Sequence, residues 1–255
     1  MLMDAKRFYD IINNENLPEP QLIGTLGEKT IHRLLKKYLE PDSAFHEIKV
    51  GSYFADICRD GEIVEIQTKQ FNKLRDKLSV FLEDHRVKIV FPSFATKWLL
   101  WIDPQTGEVS KKRRSPAAGT AYRIFPELYR IKSFLNHPNL SFSILLLNME
   151  EYRYLNGWSE DRKKGSVCQD RLPLSLVQEI VINSPADYIK LIPLGLDFVF
   201  TSKDFASAAK MTLKKAQLAV NVLCFVGAII KTGKAGKMTL YEKTNSSGKI
   251  KDKEV

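Results

Sequence analysis

The segment from Gly51 to Phe71, GSYFADICRDGEIVEIQTKQF, constrains the fold more than any other part of the chain. Two runs of strand character flank Asp60-Gly61, a dipeptide suited to a tight hairpin turn because both positions tolerate positive φ. With those two residues at the turn, Ile57 faces Val64, Ala55 faces Ile66 and Tyr53 faces Thr68, so one face is apolar. The opposite face sets Asp56 against Glu65, Phe54 against Gln67 and Cys58 against Ile63, with Lys69 following Gln67 in the same alternation. Directly opposed carboxylates, with Cβ atoms about 5 Å apart, repel one another. A hard divalent cation between them, with a lysine nearby, turns that cost into a binding site.

The flanking sequence alternates between helical and strand periodicity. Residues 4 to 14 read as a short amphipathic helix, and Gly27 to Leu39 as a second, with Ile31, Leu34, Leu35, Tyr38 and Leu39 on one stripe. The run FHEIKV precedes the hairpin as a strand, and QFNKLRDKLSVFLEDH follows it as a helix. VKIVFP reads as a buried strand, WLLWIDPQTGEVSKKRR as a hairpin turning at DPQTG, RIFPELYRIKSFL as a helix and FSILLLNM as another buried strand. Residues 156 to 173 read as a polar loop carrying Arg162, Lys163, Lys164 and Arg171, a candidate second basic loop. The expected class is α/β, a central mixed sheet flanked by helices.

The order α-β-β-β-α-β, with Asp56 on the hairpin followed by Gln67-Thr68-Lys69, resembles the PD-(D/E)xK, or restriction-endonuclease-like, nuclease superfamily over roughly residues 22 to 92. That resemblance implies a Mg²⁺- or Mn²⁺-dependent hydrolase of DNA phosphodiesters. It makes Asp56 the first metal ligand, puts Gln67 at the (D/E) position and makes Lys69 the catalytic lysine. Glu28, on the preceding helix, stands where many members carry a supporting glutamate. Gln67 is a departure: its amide carbonyl can coordinate a metal but brings no charge, and Glu65 on the same face is the residue that would compensate. A second alignment takes Glu65-Ile66-Gln67 as the motif, with Gln67 in the lysine place. Some members of the superfamily carry Gln at the acidic position, and others have lost activity.

From about Asp197 the character changes. Thr201 reads as an N-cap three residues before Asp204, and a helix follows with Leu213, Ala216, Leu218, Val220, Leu223 and Val226 as its apolar set. Two short strands then surround TGKAGK, giving the order of a winged helix-turn-helix. Residues 197 to 255 hold eleven Lys and no Arg against five acidic residues. Lys214 and Lys215 open the expected recognition helix, Gln217 and Asn221 are candidates to read base edges, and Lys231, Lys234 and Lys237 decorate the wing. Arg113 and Arg114, in the run KKRR, are candidate phosphate contacts. The expected domains are 1 to 190 for the nuclease-like part, 191 to 245 for the winged helix and 246 to 255 for a disordered tail.

A net charge of +9 agrees with a polyanionic partner, expected to be double-stranded DNA. Cutting both strands with one site per chain implies a homodimer. No apolar run is long enough to span a membrane, and the N-terminus lacks a signal peptide's apolar core, so a cytoplasmic protein is expected. The three cysteines have no zinc or disulfide spacing. His32, His46, His85 and His137 show no spacing of a metal site. No phosphate-binding glycine loop is present. Three functions stay open on the sequence: a metal-dependent DNA endonuclease, a DNA-binding protein on a degenerate nuclease scaffold, and a protein-interaction module.

Overall fold

In a computed structural model, which describes residues 4–14, 30–117, 119–156 and 167–244, the Asp60-Gly61 turn takes positive φ at both positions, 50° and 75°. This is the geometry in which a two-residue loop matches the twist of its strands. Strands β1 (His46–Val50), β2 (Tyr53–Arg59) and β3 (Glu62–Ile66) pair antiparallel in sequence, with Ile57 opposite Val64 and Cys58 opposite Ile63 as the turn dictates. They continue into β4 (Arg86–Ile102), β5 (Arg113–Arg114), β6 (Leu140–Tyr154) and β7 (Val167–Ile182). The sheet runs β1-β2-β3-β4-β6-β7, with β5 added alongside β4. The molecule is therefore a mixed α/β protein built on a large sheet flanked by helices.

The chain forms two compact units. The first comprises Met1–Thr68, Lys88–Ala121 and Ser143–Ile180. Helices α1 (Ala5–Asn14) and α2 (Thr30–Leu39) are amphipathic, and their apolar stripes have one place to go. Phe8 and Ile12 of α1 and Ile31, Leu34, Leu35 and Tyr38 of α2 pack on Ile66, Val90, Phe94, Leu145, Leu147 and Met149 of the sheet. Each such side chain, fully buried, contributes about 1.5–3 kcal/mol. The open end of α2 is capped from the sheet: Asp170 accepts the Thr30 N–H at 3.2 Å and the Thr30 hydroxyl at 2.5 Å.

The second unit comprises Lys69–Val87, Tyr122–Phe142 and Val181–Val255. It holds α3 (Arg75–Asp84), α4 (Phe125–Arg130), β8 (Val199–Thr201), α5 (Ser202–Ala208), α6 (Leu213–Phe225), β9 (Ile229–Ala235) and β10 (Met238–Lys243). A three-stranded sheet runs β8-β10-β9. Phe125, Phe200 and Phe205 are fully buried and meet at ring separations of about 6 Å. Thr201 and Asp204 form the reciprocal capping box that their spacing announces.

Several elements differ from the sequence reading. VKIVFP and WLLWI are one 17-residue strand, β4, because nothing between them forces a turn. Residues 167 to 173 are strand, not loop; β7 closes the sheet at its edge, where Pro173 need not donate to a ladder. The expected helix RIFPELYRIKSFL shortens to α4 between two 3-10 turns, since Pro126 is tolerated only in the first turn of a helix. In α6, Ala219 and Val222 are buried while Leu213 is 40% exposed, because Leu213 is the first helical residue and lies ahead of the packed turns.

Candidate functional site

The β2–β3 ladder stops at Ile57 opposite Val64. One step further from the turn, Asp56 and Glu65 meet, and side chains take over the main-chain hydrogen bonds. The Asp56 N–H donates to Glu65 Oε1 at 3.3 Å, and Asp56 Oδ2 accepts the Ile66 N–H at 2.7 Å. The opposition of Asp56 and Glu65 expected from the turn is thus present, and main-chain donors temper the repulsion between the two carboxylates. Glu65 is 3% exposed, and the Asp56 side chain 14%.

His32, which the sequence offered as an ordinary histidine, also reaches this point. Its Nε2 lies 2.7 Å from the Ile66 carbonyl oxygen and 3.3 Å from Asp56 Oδ2. A carbonyl oxygen only accepts, so Nε2 carries a proton there and donates. The signal that could have found it is positional: His32 follows Ile31 on α2, whose apolar stripe packs against Ile66.

The other expected site residues are placed differently. Strand β3 ends at Ile66, so the alternation that would carry Gln67 and Lys69 along one face does not continue. The Gln67 N–H instead bonds the Val90 carbonyl at 2.9 Å, and Lys69 stands in a bend ahead of the left-handed Gln70. Lys69 is grouped with the second unit. Glu28 lies outside the described residues, as do Arg162, Lys163, Lys164 and residues 246 to 255. Among the described residues no group of three or more His, Cys, Asp and Glu side chains is arranged to hold a metal ion. An ion at the hairpin would rest on Asp56 and Glu65, with water and substrate completing its shell. That pattern suits Mg²⁺, which is commonly held by one or two carboxylates together with phosphate oxygens.

A second polar cluster in the first unit had no counterpart in the sequence reading. Glu151 of β6 is fully buried. Its Oε2 accepts from Lys97 Nζ and from Arg171 Nε, each at 2.9 Å, and its Oε1 accepts from Arg153 Nε at 2.7 Å. Burial alone would raise the Glu151 pKa, but Arg171 and Lys97 outweigh it and hold the carboxyl down at about 2. The Lys97 pKa is lowered as well, because its own burial outweighs the attraction of Glu151. Arg171, expected in a basic loop, is therefore an ordered strand residue. The clue was the break in hydrophobicity where LLLNM gives way to EEYRY inside one strand.

KKRR also divides. The Lys112 ammonium bonds Glu150 at 2.6 Å and lies over the Trp98 ring, whereas Arg113 and Arg114 form exposed β5, opposite Leu99 and Trp98. In the second unit Lys214, Lys215 and Gln217 are exposed on the first turns of α6. Lys231, Lys234 and Lys237 are exposed on the β9–β10 hairpin, whose turn is Gly236-Lys237. Asn221 is exposed but occupied: its Oδ1 accepts from Lys132 at 3.1 Å, and Lys132 also lies over the Phe225 ring.

The architecture defines the class of protein: a mixed α/β sheet protein with a part-buried carboxylate pair at the open end of its β2–β3 hairpin. Residues 29–183 match the family described as Domain of unknown function (DUF8091), and the chain belongs to that family. It is also similar to an uncharacterized protein of Treponema pallidum (strain Nichols), 26% identical over 222 residues that cover 87% of each chain. No solved structure matches it. No described helix is long and apolar enough to cross a membrane.

Proposed function

We propose that this protein is a DNA-acting phosphodiesterase, in which Asp56 and Glu65 hold Mg²⁺ or Mn²⁺ and the lysines of the second unit hold duplex DNA. The reading rests on one observation, the convergence of Asp56 and Glu65 where the β2–β3 ladder opens. The resemblance to the PD-(D/E)xK superfamily supports it. So does the order β8-α5-α6-β9-β10, which is that of a winged helix-turn-helix preceded by a strand. A bound divalent ion would supply the polarisation that makes water a nucleophile near neutral pH. Asp56 and Glu65 bind and orient, the protonated His32 Nε2 fixes the Asp56 carboxylate, and Lys69 is assigned the positioning of the attacking water. Exposed lysines on α6 and on the β9–β10 hairpin supply phosphate contacts without sequence preference. Cutting both strands from one site per chain would use a homodimer.

Cleavage of a labelled duplex with Mg²⁺ or Mn²⁺ tests this. Asp56→Asn and Lys69→Ala should each lower the rate by on the order of a hundredfold or more, with duplex affinity nearly unchanged. Equal cleavage by wild type and both variants removes the hydrolytic assignment. A second reading, DNA binding without catalysis, is favoured by Gln67 at the acidic position and by a described site with two carboxylates. Duplex binding without cleavage under either metal selects it. Absence of duplex affinity at low salt points to a protein-docking role for the second unit.

A further inference from the structure

We infer that Phe54 and Lys49 are the substrate-contact residues of the Asp56–Glu65 site and that they take an unpaired nucleic-acid strand, with one base stacked on the Phe54 ring and one phosphate on the Lys49 ammonium. This rests on the phosphodiesterase reading of that site and names its substrate class. Both residues belong to the first unit, on the two strands at the β1 edge of the large sheet.

Register places them beside the acids. Phe54 precedes Asp56 by two residues on β2, so the two side chains leave the same face of the strand. Lys49 of β1 is paired with Phe54 and shares that face. The face opens from β3 toward β1: Glu65 is 3% exposed and the Asp56 side chain 14%, whereas Phe54 is 55% exposed and Lys49 is exposed. The approach from solvent to Asp56 along these strands therefore runs over Phe54 and Lys49. Ala55 and Ile57, on the other face of β2, are buried, so Phe54 is the apolar side chain that this strand turns outward.

Chemistry selects the substrate. Glu47, the acid of β1, is engaged by Lys36 at 2.5 Å, and among the described residues no carboxylate pairs with Lys49. An exposed ammonium with three donors suits a phosphate. A phenyl ring suits the face of a nucleobase, and such stacking tolerates any base. Inside a continuous duplex each base is already stacked on both sides, so only a single strand, a frayed end or an extruded base offers that face. A lone exposed phenylalanine is ordinary on a protein surface. One that shares a face with an exposed lysine and two converging carboxylates is placed to meet a substrate.

Binding of a short single-stranded oligonucleotide carrying 2-aminopurine to the full-length protein, without divalent metal, tests the assignment. Emission of 2-aminopurine falls when an aromatic ring stacks on it, so wild type should quench the probe. Phe54→Leu, which keeps an apolar side chain at an exposed position, should bind about tenfold more weakly and lose the quenching, and Phe54→Tyr should restore both. Lys49→Gln should lower the slope of log affinity against log salt by about 0.7, as for one phosphate of a single strand, and Lys49→Arg should keep it. The same probe annealed into a blunt duplex should be quenched no more by wild type than by Phe54→Leu. Equal affinity and quenching for wild type and Phe54→Leu, Phe54-dependent quenching of the duplex as strong as that of the single strand, or no single-strand affinity at low salt overturns the inference. Asp56→Asn should bind as wild type does while losing cleavage. Cleavage that depends on Asp56, with binding indifferent to Phe54, removes this inference alone; binding that depends on Phe54 in a protein that cleaves nothing removes the hydrolytic reading alone.

Discussion

The Asp56 main-chain N–H donates to Glu65 Oε1 at 3.3 Å, so a carboxylate receives a hydrogen bond that an antiparallel ladder would ordinarily send to a carbonyl. Asp56 in turn takes the N–H of Ile66 at 2.7 Å. The two acids thus finish the hairpin's main-chain bonding as well as forming the candidate site.

Replacing Asp56 should therefore affect stability as well as activity. Asp56→Ala removes the acceptor of a part-buried N–H and should destabilise the protein by about 1–3 kcal/mol. Asp56→Asn keeps an oxygen acceptor and should lose less. Urea denaturation of the two variants checks this; equal losses would show that the side-chain oxygen does not hold the Ile66 N–H.

Glu151 should dominate acid sensitivity. Its carboxyl titrates at about 2 in the folded protein, below the ordinary 4.5, so the folded state holds fewer protons than the unfolded one between those values. Its stabilisation, about 3 kcal/mol, is complete above pH 4.5 and is lost as the pH falls toward 2. Glu151→Gln, which leaves three buried or half-buried cations without their carboxylate, should cost about 3–5 kcal/mol at neutral pH and flatten the stability profile across the acid range. Denaturation midpoints measured from pH 6 to about 2 give both results.

The α5 capping box offers a local test. Thr201 accepts the Asp204 N–H, and Asp204 accepts the Thr201 N–H at 2.8 Å. Thr201→Ala should lower stability by about 1 kcal/mol, and Thr201→Ser should recover most of it. A thermal melt of the three proteins suffices.

The lysines of the β9–β10 hairpin should act through salt-dependent affinity. If Lys234 and Lys237 each meet a phosphate, changing both to alanine should reduce the slope of log affinity against log salt by about two, roughly equally for any duplex sequence. Lys132→Ala, which frees Asn221, should leave that slope unchanged unless Lys132 itself reaches the duplex. Fluorescence anisotropy across a salt series measures both; an unchanged slope in the double variant would remove the hairpin from the interface.

Local rules settled a good deal of this protein. Asp60-Gly61 dictated a turn with positive φ at two successive residues, and that turn fixed which residues face one another, including Asp56 and Glu65. Thr201 and Asp204 announced their capping box by spacing alone, and the apolar stripes of α1 and α2 named the residues that the sheet would bury. These features depend on neighbours within a few residues or on a simple period.

What only tertiary structure decided depends on residues far apart in sequence. Extending the strand alternation past Ile66 put Gln67 and Lys69 on the acidic face, but Gln67 bonds Val90, and the strand ends there. His32 meets Asp56 only because α2 packs over Ile66. The cluster of Lys97, Glu151, Arg153 and Arg171 draws on β4, β6 and β7, whose adjacency follows from strand order. A buried charge is stable only beside its partner, and no periodicity within one strand records which strand will lie next to it.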